Sequence, residues 1–451
     1  MKITVLGTGY LGATHAASMA EMGFEVLGLD VDPAKVEALS AGVLPFHEPG
    51  LGQLLKKHVT SGRLRFTSDY AEAGAFGDVH FVGVGTPQRP GSYAADMSYV
   101  DSAVASIARH SQRDAVIVGK STVPVGSARR LRALVRENAP DGVVVDLVWN
   151  PEFLREGHGV EDTLRPDRMV LGLPGYGGQH DDADQLTDQR LEAVMREVYA
   201  QQLEAEIPLI ITDYETAELV KVAANAFLAT KISFINSLSE LTEAVGGDIR
   251  TLADAIGMDE RIGRKFLNAG VGFGGGCLPK DIRALRARAS ELGLDQSVRF
   301  LVEIDDINTR RRDHTVGMVT DMLGGSVMGR QVAVLGAAFK PESDDVRDSP
   351  ALDIAARLHS IGADVHVYDP QANRNAAERY PRVDYVDSLP QAVARAEVVL
   401  LLTEWQEFRT MTPDQLSPLV KAKQILDGRN VLDPQVWEGA GWTYRALGRK
   451  G

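Results

Sequence analysis

Short apolar runs rich in β-branched residues alternate with amphipathic stretches through the first 150 positions of the chain. Bounded by glycine, proline and polar turns, these runs predict strands at Lys2–Leu6, Glu25–Asp30, Val79–Val84, Ala115–Lys120 and Val143–Trp149. Strands spaced by helix-length segments predict a parallel sheet with crossover helices. The polar stretch Gly175–Asp188 predicts a surface loop. From Thr212 the texture changes, because neither proline nor glycine occurs before Gly246 and apolar residues recur at helical spacing. One long helix follows, then helices at Ile249–Ile256 and Asp281–Ser290 and another from Asp295 to Leu323. A long helix that is apolar over much of its circumference must bury more than one face, which calls for two domains and a subunit partner. From Arg330 the strand–helix alternation returns. The run QVAVLGAAFKP is a strand and turn, Ser349–Ile361 a helix, and Ala363–Tyr368 a strand followed by Asp369. Two more strands are predicted at Glu397–Leu402 and Gln424–Asp427. The fold class is therefore α/β, with two Rossmann-like, doubly wound parallel-sheet domains joined by a central helical domain. The predicted boundaries are 1–200, 201–325 and 326–451.

Composition narrows the function. A chain of 451 residues exceeds what one hydrophobic core serves, and 44% apolar with 24% charged residues places it among globular proteins. The formal charge of −14 argues against a general nucleic-acid binder, which needs a basic surface to displace counterions. It leaves room for anionic small molecules held by a few lysines and backbone amides. The single cysteine, Cys277, excludes an intrachain disulfide and a cysteine-based zinc site, and no metal is expected. The chain opens on an apolar strand without a signal-peptide pattern, and no apolar run approaches the ~20 residues that span a bilayer. These features predict a cytoplasmic protein without a membrane partner.

The first strand leads into Gly7-Thr8-Gly9-Tyr10-Leu11-Gly12 and a small-residue helix start. In such a loop Gly7 permits the tight turn, Gly9 lets a pyrophosphate approach the backbone, and Gly12 lets helix pack on strand. The helix N-terminus supplies unpaired N–H groups for phosphate. Asp30, closing the second strand, suits the adenosine ribose hydroxyls and repels a 2′-phosphate, predicting NAD over NADP. The next strands end at Gly85-Thr86-Pro87 and Ser121-Thr122-Val123-Pro124, so hydroxyls at both ends could line the cofactor crevice or cap helices. The fifth ends in Asn150-Pro151-Glu152-Phe153-Leu154-Arg155-Glu156-Gly157, with two carboxylates suited to proton transfer or hydroxyl binding, or merely to a surface. Lys221 and Asn225 are four apart on one helical face among apolar neighbours, either snorkelling or lining a polar site.

The most unusual stretch is Gly270–Asp281, with five glycines in seven residues before Cys277, then Pro279, Lys280 and Asp281. So many glycines mean backbone pressed against something. Pro279 suits a helix start, which puts the thiol where a thiolate is stabilised, with Lys280 adding positive charge and Asp281 available as acid or base. The alternative is a cysteine serving as a small buried hydrophobe. Near the third domain's first strand, AFKP with Lys340 and then Asp344, Asp345 and Arg347 lacks a dinucleotide fingerprint but could hold a nucleotide-like ligand.

Taken in order, these motifs resemble the UDP-glucose/GDP-mannose dehydrogenase family over essentially the whole chain. The resemblance implies an N-terminal NAD-binding domain, a helical dimerisation domain and a C-terminal UDP-sugar-binding domain. It implies oxidation of a sugar-nucleotide C6 alcohol to a carboxylate with two NAD⁺, through a thiohemiacetal and a thioester on Cys277. UDP-glucose is the substrate it most suggests, from AFKPESDDVRDSP and FHEPGL, with GDP-mannose and UDP-N-acetylmannosamine as alternatives within the family. Outside the family stand a simple NAD alcohol dehydrogenase and a non-catalytic NAD-binding protein, neither of which needs the thiol. The resemblance makes Lys221 the oxyanion stabiliser, Asn225 the orienter of the C6 oxygen, and Asp281, Thr122 and Glu152 the handlers of protons and water. It assigns cofactor contacts to Gly7, Gly9, Tyr10, Leu11, Gly12, Asp30, Lys35, Thr86, Thr122 and Glu156, with Lys280 and Arg347 closing over it. Substrate contacts fall on Glu152, Phe153, Leu154, Arg155 and Glu156, on Lys221 and Asn225, and on Phe266, Leu267, Asn268, Ala269 and Gly270. Gly274 and Lys340 complete that set, and Arg261 resembles an arginine that reaches into the neighbouring subunit of a homodimer.

Overall fold

The apolar runs form strands; two span the expected residues and the others are shorter by one or two residues at one end or both. A computed structural model describes residues 1–176 and 182–449. It divides into two compact units, 1–224 and 225–451.

In the first unit the strands are β1 (Lys2–Leu6), β2 (Glu25–Leu29), β3 (Leu64–Thr67), β4 (Val79–Val82), β5 (Ala115–Gly119), β6 (Val145–Trp149), β7 (Met169–Leu173) and β8 (Leu209–Asp213). They lie in the order β3-β2-β1-β4-β5-β6-β7-β8. Pairing is parallel except at β6–β7, which meet antiparallel through Trp149 and Gly172. Strands β4 to β7 are buried along their whole length, as expected where helices cover both faces of a sheet. Sequence pattern did not predict β3, β7 or β8. The first and last are short edge strands with half-exposed positions, so they lack the continuous apolar run of an interior strand.

The loop predicted over Gly175–Asp188 is corrected: Asp182–Val198 is a helix, and residues 177–181 lie outside the described residues. Its outer face is polar while Leu191, Met195 and Val198 are buried at three- and four-residue spacing. A surface helix of this kind reads as a polar loop unless those widely spaced apolar positions are weighed.

The division between the units falls inside the helix Tyr214–Val245, 32 residues long. In the second unit the helices Ile249–Gly257, Leu278–Glu291 and Phe300–Met322 follow. The single helix predicted from Asp295 is also corrected, because Asp295–Val298 is a 3₁₀ turn and the α-helix starts at Phe300. Such tighter turns commonly precede an α-helix. Six parallel strands complete the unit: β9 (Gln331–Leu335), β10 (Asp364–Tyr368), β11 (Asp384–Tyr385), β12 (Val398–Leu401), β13 (Gln424–Asp427) and β14 (Thr443–Ala446). Their order, β11-β10-β9-β12-β13-β14, repeats that of the first six strands of the other sheet. Both orders are 3-2-1-4-5-6, the doubly wound arrangement with its ligand crevice where the winding reverses. Ser349 caps the helix Pro350–Ser360, its hydroxyl accepting from Leu352 N. No helix among the described residues is long and apolar enough to cross a membrane.

Candidate active site

In the first unit the motif residues gather at the carboxyl ends of β1, β2, β4, β5 and β6, where open α/β sheets hold ligands. Gly7 turns at φ +82°, which only glycine adopts without strain. A side chain on Gly12 would overlap the Gly7 carbonyl oxygen, so the helix Tyr10–Glu21 closes on the strand only with glycine there. At Gly9, the N-cap, an added Cβ meets no protein atom within 4 Å. Its surface is open beside the N–H groups of the helix start, an arrangement that fits a dinucleotide pyrophosphate. The Tyr10 hydroxyl is committed elsewhere. It donates to Glu48 and accepts from Gly157 N at 2.9 Å. Burial pushes its acidity down, with the Glu48 carboxylate adding to the effect.

Asp30 is buried, with Oδ2 accepting from Thr8 N at 2.8 Å, Thr8 Oγ1 at 3.0 Å and Lys35 Nζ at 3.0 Å. Burial alone would raise its pKa, but the Lys35 ammonium and the Asp32 and Thr8 amides outweigh that and hold it below the usual range. The carboxylate thus stays ionised beside the glycine loop, and Lys35 serves it directly. Thr86 and Thr122 are also joined, the Thr86 hydroxyl donating to the Thr122 carbonyl at 2.7 Å. Ser121 donates to Val84 O at 2.7 Å. These bonds lock the β4 and β5 ends against each other.

Beyond β6, Glu152 Oε1 pairs with Lys221 Nζ at 2.9 Å while Oε2 accepts from Leu154 N at 2.6 Å. The two side chains are 13% and 7% exposed, so this is a buried ion pair, and snorkelling is excluded for Lys221. Phe153 carries Arg168 stacked 3.9 Å from its ring centroid, with Lys221 Nζ at 5.8 Å. Arg155 is exposed and bound to Asp162, its guanidinium donating at 2.5 and 2.9 Å. Glu48 braces the same segment by accepting from Gly157 N and Gly159 N, both at 2.7 Å. Glu156 adds negative charge near the Tyr10 hydroxyl. One turn before Lys221, Glu218 accepts from Gly126 N and Ala128 N at 2.6 Å each, and burial pushes its carboxyl up to about 7.

In the second unit the glycine run is pressed against the protein's own chain. Gly272 (φ +105°) would place a Cβ 2.5 Å from Asn308 Oδ1, and Gly275 (φ +83°) 2.8 Å from the Phe339 ring. Side chains at Gly274 and Gly276 would overlap the Asp348 carbonyl and the Arg347 guanidinium. Asn308 clamps the run by accepting from Phe273 N at 2.7 Å and donating to Phe273 O at 2.9 Å. Cys277 emerges as the N-cap of the helix Leu278–Glu291 and is exposed, so it is not a packed hydrophobe. Asp281 is 1% exposed; its Oδ2 accepts from Asn225 Nδ2 at 2.6 Å and its Oδ1 lies 2.9 Å from Lys280 Nζ. A thiol at a helix start, a buried carboxylate in the first turn, and a cation and an amide on that carboxylate together suit acyl chemistry with proton transfer.

Phe266 sits at φ +66° and is exposed, as is Asn268, whereas Leu267 and Ala269 point into the core. Only the backbone of the latter two is available to a ligand. Gly270 N donates to Asn236 Oδ1 at 2.8 Å. Arg261 is fully outward, its side chain 88% exposed and held by Asp259. Lys340 Nζ lies 5.5 Å from the Phe339 ring centroid, and Arg347 pairs with Asp345 at 2.6 Å. Asp369, the counterpart of Asp30, binds Ala337 N, Ala338 N and Trp405 Nε1 at 2.8–3.0 Å and so closes its own turn.

Sequence reasoning missed Glu48, Lys120, Glu218 and Asn308. A lysine ending the otherwise apolar strand AVIVG was a readable signal for Lys120, since unpaired buried lysines are rare. Glu48 lay inside the FHEPGL stretch but was given no role of its own, and Glu218 and Asn308 gave no signal, because their partners are distant in sequence.

Residues 1–202 match the NAD binding domain of the UDP-glucose/GDP-mannose dehydrogenase family, 215–310 its central domain and 333–434 its UDP binding domain. The UDP-glucose 6-dehydrogenase of Rhizobium meliloti (strain 1021) is 41% identical over 449 residues, covering 100% of both chains. The UDP-glucose 6-dehydrogenase TuaD of Bacillus subtilis (strain 168) is 40% identical over 449 residues, 99% of this chain and 93% of that one. A UDP-glucose dehydrogenase from the hyperthermophilic archaeon Pyrobaculum islandicum superposes with a TM-score of 0.87 at 36% identity, covering 99% of this chain and 98% of its own.

Proposed function

The chain belongs to the UDP-glucose/GDP-mannose dehydrogenase family, and we propose that it oxidises UDP-glucose to UDP-glucuronate. Its cofactor is NAD, which when bound accepts one hydride in each of two oxidations. The observation that carries the chemistry is the sole thiol, exposed at a helix start beside the Asp281–Asn225–Lys280 cluster. Full-length likeness to UDP-glucose 6-dehydrogenases supports the choice of sugar over GDP-mannose or UDP-N-acetylmannosamine.

The first oxidation removes the C6 hydride and hydroxyl proton, leaving an aldehyde. Glu152, with Thr122, takes part in the proton traffic, and Lys221 stabilises negative charge developing on oxygen. The Cys277 sulfur adds to the aldehyde carbon, and the resulting thiohemiacetal has a hydride to lose where the aldehyde had none to give. Loss of that hydride leaves a thioester, and water adds to its carbonyl, releasing the acid and regenerating the thiol. Asp281 handles protons in these steps and Asn225 orients the C6 oxygen. The sum is one alcohol, two NAD⁺ and one water giving one carboxylate, two NADH and three protons.

Glycine-loop residues Gly7 to Gly12, with Asp30, Lys35, Thr86 and Glu156, contact the cofactor in this reading, and Lys280 and Arg347 close over it. The substrate lies against the Glu152–Glu156 segment, Phe266–Gly270, Gly274 and Lys340. Matches to three family domains support dividing the chain at 1–200, 201–325 and 326–451. A homodimer through the central helices is supported by Phe227, Phe234 and Leu241, exposed apolar residues seven apart on one helix. Arg261, 88% exposed, then serves the partner's site. The free cysteine fits a reducing cytoplasm.

Stoichiometry tests the reading. Two NADH per UDP-glucose are expected, with no acid from Cys277→Ala and an acyl-enzyme accumulating on Cys277→Ser, because an oxygen ester hydrolyses more slowly than a thioester. One NADH per sugar, or steady UDP-glucuronate production by Cys277→Ala, refutes it. GDP-mannose or UDP-N-acetylmannosamine outcompeting UDP-glucose in a substrate panel would replace the sugar.

A further inference from the structure

The helix that carries Lys221 is joined to the Thr122 turn by a side chain without a role in the chemistry above. Glu215, Glu218 and Lys221 stand three residues apart on that helix and so share one face. Each meets a different part of the first unit. Lys221 Nζ pairs with Glu152 at 2.9 Å, and Glu215 pairs with Arg129 at 2.7 Å. Between them Glu218, 2% exposed, accepts from Gly126 N through Oε2 and from Ala128 N through Oε1, both at 2.6 Å.

Those two amides open the helix Ser127–Asn138. The first N–H groups of an α-helix have no partner within the helix. Here the N-cap is Gly126, at φ +92°, which has no side chain to supply one. The acceptor comes instead from Glu218, 92 and 90 residues away. Both of its oxygens are taken, so the carboxylate is held at two points of a single turn.

Thr122 lies in that same turn. Upstream, Lys120 N donates to Val82 O at 2.9 Å, Ser121 Oγ to Val84 O at 2.7 Å, and Thr86 Oγ1 to Thr122 O at 2.7 Å. Downstream, Ser127 N and Oγ both donate to Pro124 O, at 3.1 and 2.5 Å. Val123 and Ala128 are buried in one apolar cluster with Tyr214 and Ala217 of the long helix. The turn is therefore tied to the end of β4 on one side and to the Lys221 helix on the other, and Glu218 is the polar part of the second tie.

We propose that Glu218 is a positioning residue for Thr122: by holding the Gly126 and Ala128 amides it sets the Thr122 turn against the helix that carries Lys221. The proposal rests on the reading of Thr122 and Lys221 as groups of the reacting centre. A displacement of about 1 Å at such a group can cost about a hundredfold in rate. The Glu215–Arg129 pair joins the same two helices at a more exposed place, one turn farther from Lys221, and serves as the comparison.

The test is a double-variant cycle on kcat at fixed pH with saturating NAD⁺, measured on the full chain. Glu218→Gln keeps the shape of the side chain but offers one acceptor where two amides converge. It should lower kcat by about tenfold or more. The KM for UDP-glucose should hold, because the turn is released and the Lys221 helix is not. In a Thr122→Ala background the same substitution should cost little more, the mark of two residues acting through one another. Arg129→Ala, which breaks an exposed pair, should leave kcat within about twofold. Full kcat in Glu218→Gln overturns the proposal, as does an equal loss in Arg129→Ala, since any link between the two helices would then do. If Thr122→Ala keeps full activity, the reading of Thr122 fails and the proposal with it. If Thr122→Ala loses rate and the Glu218→Gln loss multiplies onto it undiminished, the proposal fails alone. Amide hydrogen exchange on the wild-type protein needs no variant: Gly126 and Ala128 should be protected although both precede the first intrahelical bond. Fast exchange at both overturns the proposal even where Glu218→Gln does not fold.

Discussion

Replacing Glu152 with Gln breaks a buried ion pair at nearly constant shape, and the structure sets the cost. At 2.9 Å the Glu152–Lys221 attraction is about 6 kcal/mol with an effective dielectric near 20, before the desolvation of both ions is subtracted. Removing one partner of a buried pair costs about 3–5 kcal/mol, because the other charge stays buried without its counter-ion. Glutamine does not rescue the site. Two donors, Lys221 Nζ and Leu154 N, converge on the two carboxylate oxygens, and an amide offers one acceptor and turns its own NH₂ toward the other donor. We therefore expect Glu152→Gln to lose about 4 kcal/mol. Urea unfolding of Glu152→Gln, Lys221→Met and the double variant measures this. The double variant should be less destabilised than the sum of the singles by about 2 kcal/mol or more, the signature of coupling. A Glu152→Gln loss below about 1 kcal/mol, the range of exposed pairs, or singles that simply add, would refute the buried-pair argument.

Asp30→Ala should weaken NAD⁺ binding and narrow its advantage over NADP⁺; initial rates with each cofactor check this, and equal use of both by the wild type would remove Asp30 from the ribose. Mixing Arg261→Ala with Cys277→Ala chains should restore activity through heterodimers carrying one intact site, and no recovery after demonstrated subunit exchange would count against the role across the interface. Glu218 has a folded-state pKa raised from 4.5 to about 7, so the stability it contributes is present in full below pH 4.5 and is lost as the pH rises through about 7. Its share is up to about 3 kcal/mol, and unfolding free energies measured across that window should flatten in Glu218→Gln.

Much of the architecture was legible because it depends on near neighbours in sequence. The strand that runs into Gly7, the overlap that forbids a side chain on Gly12, and Asp30 at the end of the next strand follow from local turn geometry. The run of glycines ending in Cys277 and Pro279 likewise announced a tight backbone and a helix start. Interior strands such as β5 and β12 announced themselves by unbroken apolar runs, whereas the half-exposed edges β3 and β8 did not.

Tertiary structure decided what depends on distant segments meeting. Helical spacing left Lys221 between snorkelling and lining a site, and burial against Glu152 settles that. Gly272, Gly274, Gly275 and Gly276 could have been shaped around a ligand, but their close neighbours are Asn308, Asp348, Phe339 and Arg347 of the same unit. Glu48 serves amides 109 and 111 residues away, and Asn150 joins Lys120 at a separation of 30 residues with Tyr199 at 49. Periodicity and turn chemistry constrain a residue through its own neighbours. Whether a buried polar side chain is paid for depends on which strand ends the fold brings beside it, and that convergence is written nowhere in the local sequence.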